Sequence, residues 1–426
     1  MESVSLLQIL FDRTIGNIGR MLATIRLPKA ERGRISWWFV GTLAITLAYG
    51  LVMLFSASYS TGYAKYGSIY HFIGPQFAVA VIGFIGMMLL SRINYRSLRY
   101  INEMFYIITV VLLIAALLSP EDTNGCRRWV YLPGMSIQPG ELAKFSTILW
   151  TAHVTDLHQE TRHTLRDGLW RPLQPLLLTV LLLWLEPHKS AIIITGAIFA
   201  TMLVCGGCAL KYVFAAAPVA GVALLYVLSK DQGYAGSRMS GVWGITPTDI
   251  SGMDWQTKQS LYAVSSGGMF GVGIGNSVQK HQWLPYAEND FIFSIVCEEL
   301  GFVGALLVIG LFVVLIVQGI AIAMRAPDFY GSMLAIGITA QIAFQCFFHI
   351  GVVTALIPNT GITLPFFSSG GTSLLLLLGE MGVLLSISRA GNAREENQRK
   401  QARAAAERRM QGRLGARQVH RRAPRP

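Results

Sequence analysis

The sequence predicts an all-α integral membrane protein with about ten transmembrane helices, both termini in the cytoplasm and one large extracellular loop. Hydrophobic residues make up 53% of the 426 residues and charged residues only 14%, whereas a soluble domain carries about 25% charged residues. The apolar residues are gathered in long runs, and about 20 of them suffice to cross the hydrocarbon of a bilayer. The alternating pattern of barrel strands is missing, so we expect helices, which satisfy their own backbone groups.

Ten apolar segments can be drawn between residues 36 and 390, which we expect to form one membrane domain. The fifth segment is short and lies between Pro172 and Pro187, so a tilted or broken helix is expected there. Residues 1–35 precede the domain as a cytoplasmic or interfacial amphipathic segment, and residues 391–426 follow it as a basic tail expected to be disordered. The ten segments are residues 36–57, 70–91, 101–119, 141–157, 173–186, 190–208, 211–229, 291–324, 331–357 and 366–388.

Basic residues predict which side of the membrane each loop faces. They precede the first segment and follow the second, fourth and tenth, and residues 389–426 hold eleven Arg and one Lys against three Glu, a net charge of 12 − 3 = +9. An alternating ten-span topology puts all of them on one side, which the positive-inside tendency identifies as cytoplasmic. Residues 230–290 then form the large extracellular loop. The tail lacks aromatic interleaving and a folded module, so no nucleic-acid partner is expected.

Charged residues gather just before the fourth segment, on the extracellular side. Arg127 and Arg128 lie where the positive-inside tendency disfavours them, which indicates an anionic ligand. Pro139 suits the first turn of a helix, and Glu141 and Lys144 then lie on one helical face because they are three residues apart. Ionisable groups at membrane depth suggest a functional site; a structural ion pair is the alternative.

The end of the large loop is rich in glycine and polar residues. Ser266 and Gly267 open a Gly-rich stretch whose backbone N–H groups could approach phosphate oxygens, although glycines are common in loops and membrane helices. Gln279 and Lys280 follow shortly before the eighth apolar segment. The stretch is therefore a candidate binding element for an anionic ligand.

Asp290 stands at the junction between this loop and the membrane. Its carboxylate could act as a general base there, and the alternative is a helix N-cap, because Asp is a favoured capping residue. Glu298 and Glu299 lie two turns deeper in the same segment. We interpret these two glutamates as interhelical hydrogen-bonding groups more than as catalysts.

Two further extracellular turns carry polar residues. One is the short turn at residues 186–190, which contains Glu186 and His188. The other spans residues 358–373 and combines Pro, Gly and hydroxyl residues, among them Ser368. Irregular backbone at membrane depth is tolerated beside a cavity or inside protein, so both turns are candidates for a site and equally for packing.

These four groups of residues, in this order on a ten-segment chain, resemble the SEDS family (shape, elongation, division and sporulation), which includes FtsW, RodA and SpoVE. The resemblance covers about residues 36–390. Its most specific parts are Asn-Gly-Cys-Arg-Arg-Trp at 124–129 with Gln-Pro-Gly-Glu-Leu-Ala-Lys at 138–144, the stretch 279–304, and the Gly-rich, Ser-rich stretch 360–374.

The resemblance implies a peptidoglycan glycosyltransferase that polymerises lipid II at the outer face of the bacterial cytoplasmic membrane, with a class B penicillin-binding protein as partner. It implies that Asp290, which matches the aspartate of the family's Asp-Phe-Ile-Phe motif, is the catalytic residue. A divalent cation, Mg²⁺ or Mn²⁺, that bridges Asp290 and the diphosphate of the substrate is also expected. Substrate-binding roles are expected for Arg128, Glu141, Lys144, Lys280, Gln279, Ser266, Gly267 and Ser368.

The sequence departs from the family pattern at several positions. Gly140 replaces the usual serine, His188 stands where an aspartate is usual, and Ser369 replaces a tyrosine. The acid that usually follows the proline at 285 is missing, and Glu288 lies two positions later. These departures leave the details of substrate contact open, while the aspartate at 290 is retained.

Two other functions stay open on the sequence alone. A flippase for a lipid-linked precursor would need a polar path through the whole bilayer, whereas the ionisable residues here gather on one side. A scaffold without activity, which serves a partner synthase, would leave Asp290 dispensable.

Overall fold

A computed structural model of the protein describes residues 16–17, 19–25, 28, 31–120, 127–132, 135–209, 211–212, 215 and 254–422. Its principal helices are α1 (Trp37–Tyr66), α2 (Ile73–Leu90), α3 (Leu98–Leu117), α4 (Pro139–Leu157), α5 (Arg171–Leu185), α6 (Lys189–Cys205), α7 (Trp255–Ser266), α8 (Ile292–Arg325), α9 (Phe329–Val353) and α10 (Gly371–Arg422). A 3₁₀ turn (Tyr95–Ser97) precedes α3, and a π-helical turn (Arg166–Trp170) precedes α5.

Seven helices of the described chain are long and apolar enough to cross a membrane: α1, α2, α3, α5, α8, α9 and the first part of α10. The apolar helix α6 is shorter, with 17 residues, and α4 carries polar residues such as Glu141 and Lys144 on its buried side. The prediction of a multi-pass helical membrane protein is therefore confirmed. The predicted segment 211–229 lies outside the described residues except for 211–212 and 215, so the count of ten spans stays a prediction.

Residues 58–69 separate the first two predicted apolar segments, which predicts a short extracellular loop, but most of them are helical. Helix α1 continues to Tyr66, and Gly67 ends it in the left-handed conformation (φ 68°) that glycine adopts without steric cost. The amides of Gly67 and Ser68 donate to the carbonyls of Tyr63 and Gly62. The loop prediction is wrong because α1 continues beyond its apolar run and stops only at Gly67.

A small antiparallel β-hairpin interrupts the otherwise helical fold. Strand β1 (Val130–Leu132) pairs with β2 (Met135–Ile137), and Val130 lies opposite Ile137. The hydroxyl of Thr372, at the start of α10, donates to the carbonyl of Ser136 at 2.6 Å. The hairpin, which an all-α prediction does not include, thus ties the segment before α4 to α10.

The core forms where helices approach each other closely. Helix α8 packs against α9 and α1, α9 packs against α4 and α6, and α10 packs against α2. A Cβ atom on Gly337 of α9 would lie 2.6 Å from a carbon of Ile148 in α4, and one on Gly50 of α1 would lie 2.4 Å from the carbonyl oxygen of Phe366. Small residues permit such close packing of helices in membranes.

Helix α8 is broken at Gly301, which has φ 65° and ψ −163°. The Gly-rich stretch replaces the lost helical hydrogen bonds: the amides of Val272 and Gly273 donate to the carbonyls of Glu298 and Glu299. In return, the amides of the two residues after Gly301 donate to carbonyls of residues 268 and 269. The amides of Val272 and Gly273 are thus already hydrogen-bonded to carbonyls of α8. The expectation that backbone N–H groups of this stretch bind phosphate is therefore wrong for these two residues.

The basic tail is expected to be disordered, but it forms the last part of α10 and is helical as far as Arg422. Its composition of Ala, Arg, Gln and Glu favours helix. Ion pairs four residues apart add support, since Glu396 lies 2.8 Å from Lys400 and Glu395 lies 3.9 Å from Arg399. The predicted N-terminal amphipathic segment lies mostly outside the described residues.

Candidate functional site

A cavity of about 260 Å³ lies where the first residues of α4, α6, α8 and α10 meet. Gln138 and His188 are the residues immediately before α4 and α6, and Asp290 lies two residues before α8. Ser373 lies in the first turn of α10. Because the N-terminal end of a helix carries partial positive charge and unpaired N–H groups, four such ends form a surrounding suited to an anion.

Asp290 lines this cavity. The residue directly before α8 is Phe291, so Asp290 does not occupy the N-cap position that the alternative interpretation assigned to it. Its backbone N–H donates to the carbonyl of Tyr286 at 3.1 Å. Gly361 has φ 68°, and a Cβ atom there would lie 3.3 Å from Oδ2 of Asp290. A glycine at 361 therefore keeps the carboxylate uncrowded.

Hydrogen bonds fix the two loops that carry the cavity walls. The Ser368 hydroxyl donates to the carbonyl of Asn289 at 2.6 Å and accepts the N–H of Leu364 at 2.9 Å. The N–H of Ser369 donates to the carbonyl of Glu288 at 2.9 Å. Ser368 lines the cavity, and its hydroxyl also holds residues 288–290 against the turn between α9 and α10.

Arg128 enters the cavity from the segment before β1. Its Nη2 atom donates to the carbonyl of Pro187 at 3.0 Å, which joins the segment to the turn between α5 and α6. Glu186 in that turn is fully buried. Burial raises the pKa of Glu186 to about 8, although the charge of Arg128 acts in the opposite direction. This end of the cavity thus combines a cation with a carboxyl group that stays protonated at neutral pH.

His188 packs directly on Gly140. A Cβ atom at position 140 would lie 2.6 Å from Nδ1 and Cε1 of the imidazole, so the ring occupies the space that a side chain at 140 would need. The Nε2 atom of His188 lies 3.4 Å from the side-chain nitrogen of Gln138. Burial, with further contributions from Arg128 and Lys144, lowers the pKa of His188 well below its ordinary value. The imidazole is therefore neutral at physiological pH.

Glu141 and Lys144 form a buried ion pair behind the cavity wall, with 2.7 Å between Oε1 and Nζ. The second carboxylate oxygen of Glu141 accepts a hydrogen bond of 3.0 Å from Ser373, which lines the cavity. Pro139 begins α4, as predicted. Glu141 and Lys144 are thus connected to the cavity through Ser373. This geometry agrees both with a functional site and with a structural ion pair.

Lys280 lies in a different place. Its ammonium pairs with Glu299 at 2.5 Å, lies near the hydroxyl of Ser56 and is 4.7 Å from the centroid of the Tyr59 ring. We call Lys280, Glu299, Ser56 and Tyr59 the Lys280 cluster. Lys280 and Glu299 are almost completely buried. Because Glu299 also accepts from Ser56 of α1, its interhelical role is confirmed.

The remaining predicted substrate-binding residues lie near the Lys280 cluster and do not line the cavity. The backbone N–H of Gln279 lies 3.4 Å from the carboxylate of Glu298, which also accepts hydrogen bonds from the hydroxyl of Ser277 and the backbone N–H of Val278. Gly267 faces the backbone of Cys297, where a Cβ atom would lie 1.9 Å from the carbonyl oxygen. Ser266 donates to the carbonyl of Ala263 in its own helix. Their roles in substrate binding stay predictions.

The described residues contain no group of three or more His, Cys, Asp or Glu side chains placed to hold a metal ion. Asp290 offers one carboxylate, and Asn289 and Ser368 offer neutral oxygens beside it. Mg²⁺ is commonly held by one or two carboxylates together with phosphate oxygens of a substrate. This donor set fits a cation that a diphosphate would bring with it.

Sequence reasoning missed several cavity residues. Gln138 belongs to the motif before α4, in which only Glu141 and Lys144 have predicted roles. His188 is a departure from the family pattern that has no predicted role. Ser373 and Gly361 were part of a turn equally attributed to packing. The start of a helix was the available signal for Gln138, His188 and Ser373, whereas Gly361 lies in the loop between α9 and α10. Asn124 and Cys126 lie outside the described residues.

Comparison with known proteins adds a family and a fold. The sequence model of the FtsW, RodA and SpoVE cell cycle proteins matches residues 36–393. Stage V sporulation protein E of Bacillus subtilis is 37% identical over 355 residues, which cover 81% of this chain and 94% of that protein. The probable peptidoglycan glycosyltransferase FtsW of Bacillus subtilis is 34% identical over 359 residues, covering 81% and 88%.

Solved structures also resemble this one. The crystal structure of RodA, the rod shape determining protein of Thermus thermophilus, has a TM-score of 0.61 at 25% identity and covers 83% of this chain and 97% of its own. A chain from a peptidoglycan synthase complex that coordinates polymerization and crosslinking has a TM-score of 0.69 at 24% identity, covering 84% and 98%. At such identity the second likeness concerns the fold.

Proposed function

The chain belongs to the FtsW, RodA and SpoVE family of cell cycle proteins, and we propose that it is a peptidoglycan glycosyltransferase that polymerises lipid II. The observation that carries the proposal is the joint position of Asp290 and Arg128 in one cavity, at which the N-terminal ends of four helices meet. The similarity to probable peptidoglycan glycosyltransferases supports the same reaction class.

The proposed reaction joins two lipid-linked sugars. The 4-hydroxyl of the GlcNAc of one lipid II attacks C1 of the MurNAc at the end of the growing chain, the bond from C1 to the diphosphate breaks, and polyprenyl diphosphate leaves. The proton of the attacking hydroxyl goes to the carboxylate of Asp290, which acts as general base. General bases of this kind contribute about 10²–10⁴ to the rate.

The leaving diphosphate needs positive charge around it. Arg128 can supply a planar pair of N–H donors, and the helix ends at Gln138, His188 and Gly371 supply partial charge. If a divalent cation takes part, Asp290 and the diphosphate would hold it, and it would stabilise the charge on the leaving oxygen. Ser373, held by Glu141, fixes α10 against α4 at the same place.

The proposed location and partner follow from the same reasoning. Basic residues lie at the start of α1 and at the ends of α2 and α10, and they favour a cytoplasmic position for these helix ends. The cavity lies at the other end of α10, so it opens at the outer face of the cytoplasmic membrane. A class B penicillin-binding protein is the proposed partner, and the fold likeness to a chain of a peptidoglycan synthase complex supports it.

The experiment is glycan polymerisation by the purified protein, with and without its penicillin-binding protein, on labelled lipid II. Asp290→Asn should lower the rate by at least about 100-fold and leave the thermal unfolding temperature unchanged. Asp254→Asn, at the start of α7, is the matched control and should keep wild-type activity. Near-normal polymerisation by a folded Asp290→Asn variant would contradict the assignment and favour a scaffold role.

A further inference from the structure

The wall of the cavity beside α4 and α6 has neutral polar and aromatic side chains. Trp129, Tyr131, Gln138 and His188 line it. Sugar rings present apolar C–H faces to aromatic rings and hydroxyl or acetamido groups to neutral hydrogen-bonding side chains. This wall therefore differs in chemistry from the guanidinium of Arg128 and the carboxylate of Asp290, which also line the cavity.

His188 has an unusual combination of burial and incomplete hydrogen bonding. Its side chain is buried, with 5% of the residue exposed, and within the described chain Nδ1 has no hydrogen-bond partner. A buried polar atom without a partner costs about 1–3 kcal/mol, so native proteins rarely keep one without a reason. Nδ1 lies on the ring edge that faces Gly140, and His188 also lines the cavity.

Burial lowers the pKa of His188, and neighbouring positive charges act in the same direction. Arg128 and Lys144 supply two positive charges nearby, and the carboxyl group of Glu186, two residues earlier, is protonated at neutral pH. A neutral imidazole adds no charge for a diphosphate, but it can donate one hydrogen bond and accept another. Its chemistry thus fits a hydroxyl or acetamido group better than a phosphate.

Gly140 determines where the ring lies. The ideal Cβ position at residue 140 is 2.6 Å from Nδ1 and Cε1 of His188, closer than real Cβ atoms approach other atoms. Any larger residue at 140 would therefore push the ring away from α4. The Nε2 atom, 3.4 Å from the Gln138 amide nitrogen, keeps the opposite edge of the ring in place.

We propose that Gln138, His188, Trp129 and Tyr131 form a sugar-binding subsite, in which His188, positioned by Gly140, determines affinity for the sugar of a lipid-linked substrate. The proposal rests on the proposed function, because it assigns one wall of the same cavity. Arg128 then contacts the diphosphate and His188 contacts the sugar. The two residues should respond differently to ligands with and without a sugar.

The test measures binding of two ligands to the purified full-length protein in detergent: lipid II, and undecaprenyl diphosphate, which has the same diphosphate and polyprenol but no sugar. His188→Ala should raise the Kd for lipid II about tenfold and change the Kd for undecaprenyl diphosphate less than about twofold. His188→Gln, which keeps a neutral donor and acceptor, should restore most of the affinity. His281→Ala, an exposed histidine outside the cavity whose ring bonds Ser60, is the matched control.

Gly140→Ser tests the positioning. It should weaken lipid II binding to a similar extent as His188→Ala, and the double variant should be no weaker than either single variant, because both changes remove the same contact. Additive effects would show that Gly140 does not position the ring. Equal losses for both ligands in His188→Ala, or unchanged lipid II binding in that variant, would overturn the subsite.

The outcomes also separate this proposal from the proposed function. If the wild-type protein binds lipid II in a His188-dependent way but never polymerises it with its partner, the proposed function fails and the subsite stands. If it polymerises lipid II while His188→Ala binds lipid II normally, the subsite alone fails.

Discussion

The part of the chain that the structure describes contains two buried Lys–Glu ion pairs, and their surroundings differ. The pair Glu141–Lys144 is joined to the cavity, because Glu141 accepts a hydrogen bond from Ser373 in the cavity wall. The pair Lys280–Glu299 is enclosed by Ser56 and the ring of Tyr59, between α1 and the break in α8. The same two residue types are therefore joined to the candidate site in one place and enclosed between helices in the other.

Buried ion pairs stabilise little by themselves, but removal of one partner leaves an uncompensated charge. In the Lys280 cluster the donors and acceptors pair with each other. Removal of Lys280 would therefore leave the charge of Glu299 uncompensated. The helix break at Gly301 depends on the neighbouring stretch 267–273, whose amides pair with the carbonyls of Glu298 and Glu299. Polar residues beside a broken helix thus need not indicate a ligand.

The largest effect should come from the Lys280 cluster. Lys280→Ala should destabilise the protein by about 3–5 kcal/mol, because Glu299 would remain buried without its cation. The double variant Lys280→Met with Glu299→Gln should regain the thermal unfolding temperature in detergent and keep polymerisation within about threefold of wild type. The double variant Lys144→Met with Glu141→Gln should fold equally well but polymerise lipid II at least about tenfold more slowly.

These two double variants can also break the comparison. If the folded Lys280→Met, Glu299→Gln protein were inactive, the Lys280 cluster would belong to the substrate site after all. If the Lys144→Met, Glu141→Gln protein were fully active, the first pair would be structural as well.

Arginine geometry gives the next effect. Arg128→Lys should weaken binding of undecaprenyl diphosphate by about tenfold, because a lysine ammonium cannot form the planar two-pronged contact with phosphate. Arg127→Lys is the matched control: Arg127 is the adjacent residue, donates to the carbonyl of Leu117 at 3.0 Å and does not line the cavity. Equal affinities for the two variants would mean that Arg128 is not a diphosphate ligand.

The membrane segments could be predicted from the sequence because hydropathy is a local property. Predicted segments 141–157 and 291–324 correspond to α4 (Pro139–Leu157) and α8 (Ile292–Arg325) within two residues at each end. The break at Gly301 was not predicted, because the apolar run continues through it. Only its hydrogen bonds with residues 268–273 make the break stable, and these are contacts between separate parts of the chain.

Membership of the site was harder to predict for a similar reason. Lys144 and Lys280 both lie near a glutamate and a membrane boundary, and the sequence does not tell which lysine is close to Asp290. The contact between Gly140 and His188 joins residues from two helices. A single sequence gives no signal for such a pair.

A smaller effect should come from Gly361. Gly361→Ala places a Cβ atom in the left-handed region and 3.3 Å from the carboxylate of Asp290. Gly67→Ala is the matched control, because Gly67 has the same φ of 68° and no atom within 4 Å of the added Cβ. Each change should cost about 1–2 kcal/mol of stability, measured by thermal unfolding.

Only Gly361→Ala should lower the rate of polymerisation beyond this common loss, by several-fold, because only there does the new methyl group crowd the proposed base. Rates that fall equally in Gly361→Ala and Gly67→Ala would leave backbone strain as the whole effect.

The smallest effect concerns the pH dependence of stability. Burial raises the pKa of Glu186 from 4.5 to about 8, so above pH 4.5 the folded protein holds a proton that the unfolded chain has lost. The contribution of Glu186 to stability therefore falls as pH rises from 4.5 towards 8 and is constant above that.

Glu186→Gln should remove this loss. Between pH 6 and 8 the stability of this variant should therefore increase relative to that of the wild type by about 1–2 kcal/mol, measured by thermal unfolding. Glu160→Gln, an exposed site in the α4–α5 connection, should reproduce the wild-type pH profile. A constant difference in stability between Glu186→Gln and the wild type across this range would mean that Glu186 is ionised in the folded protein. Burial would then not raise its pKa.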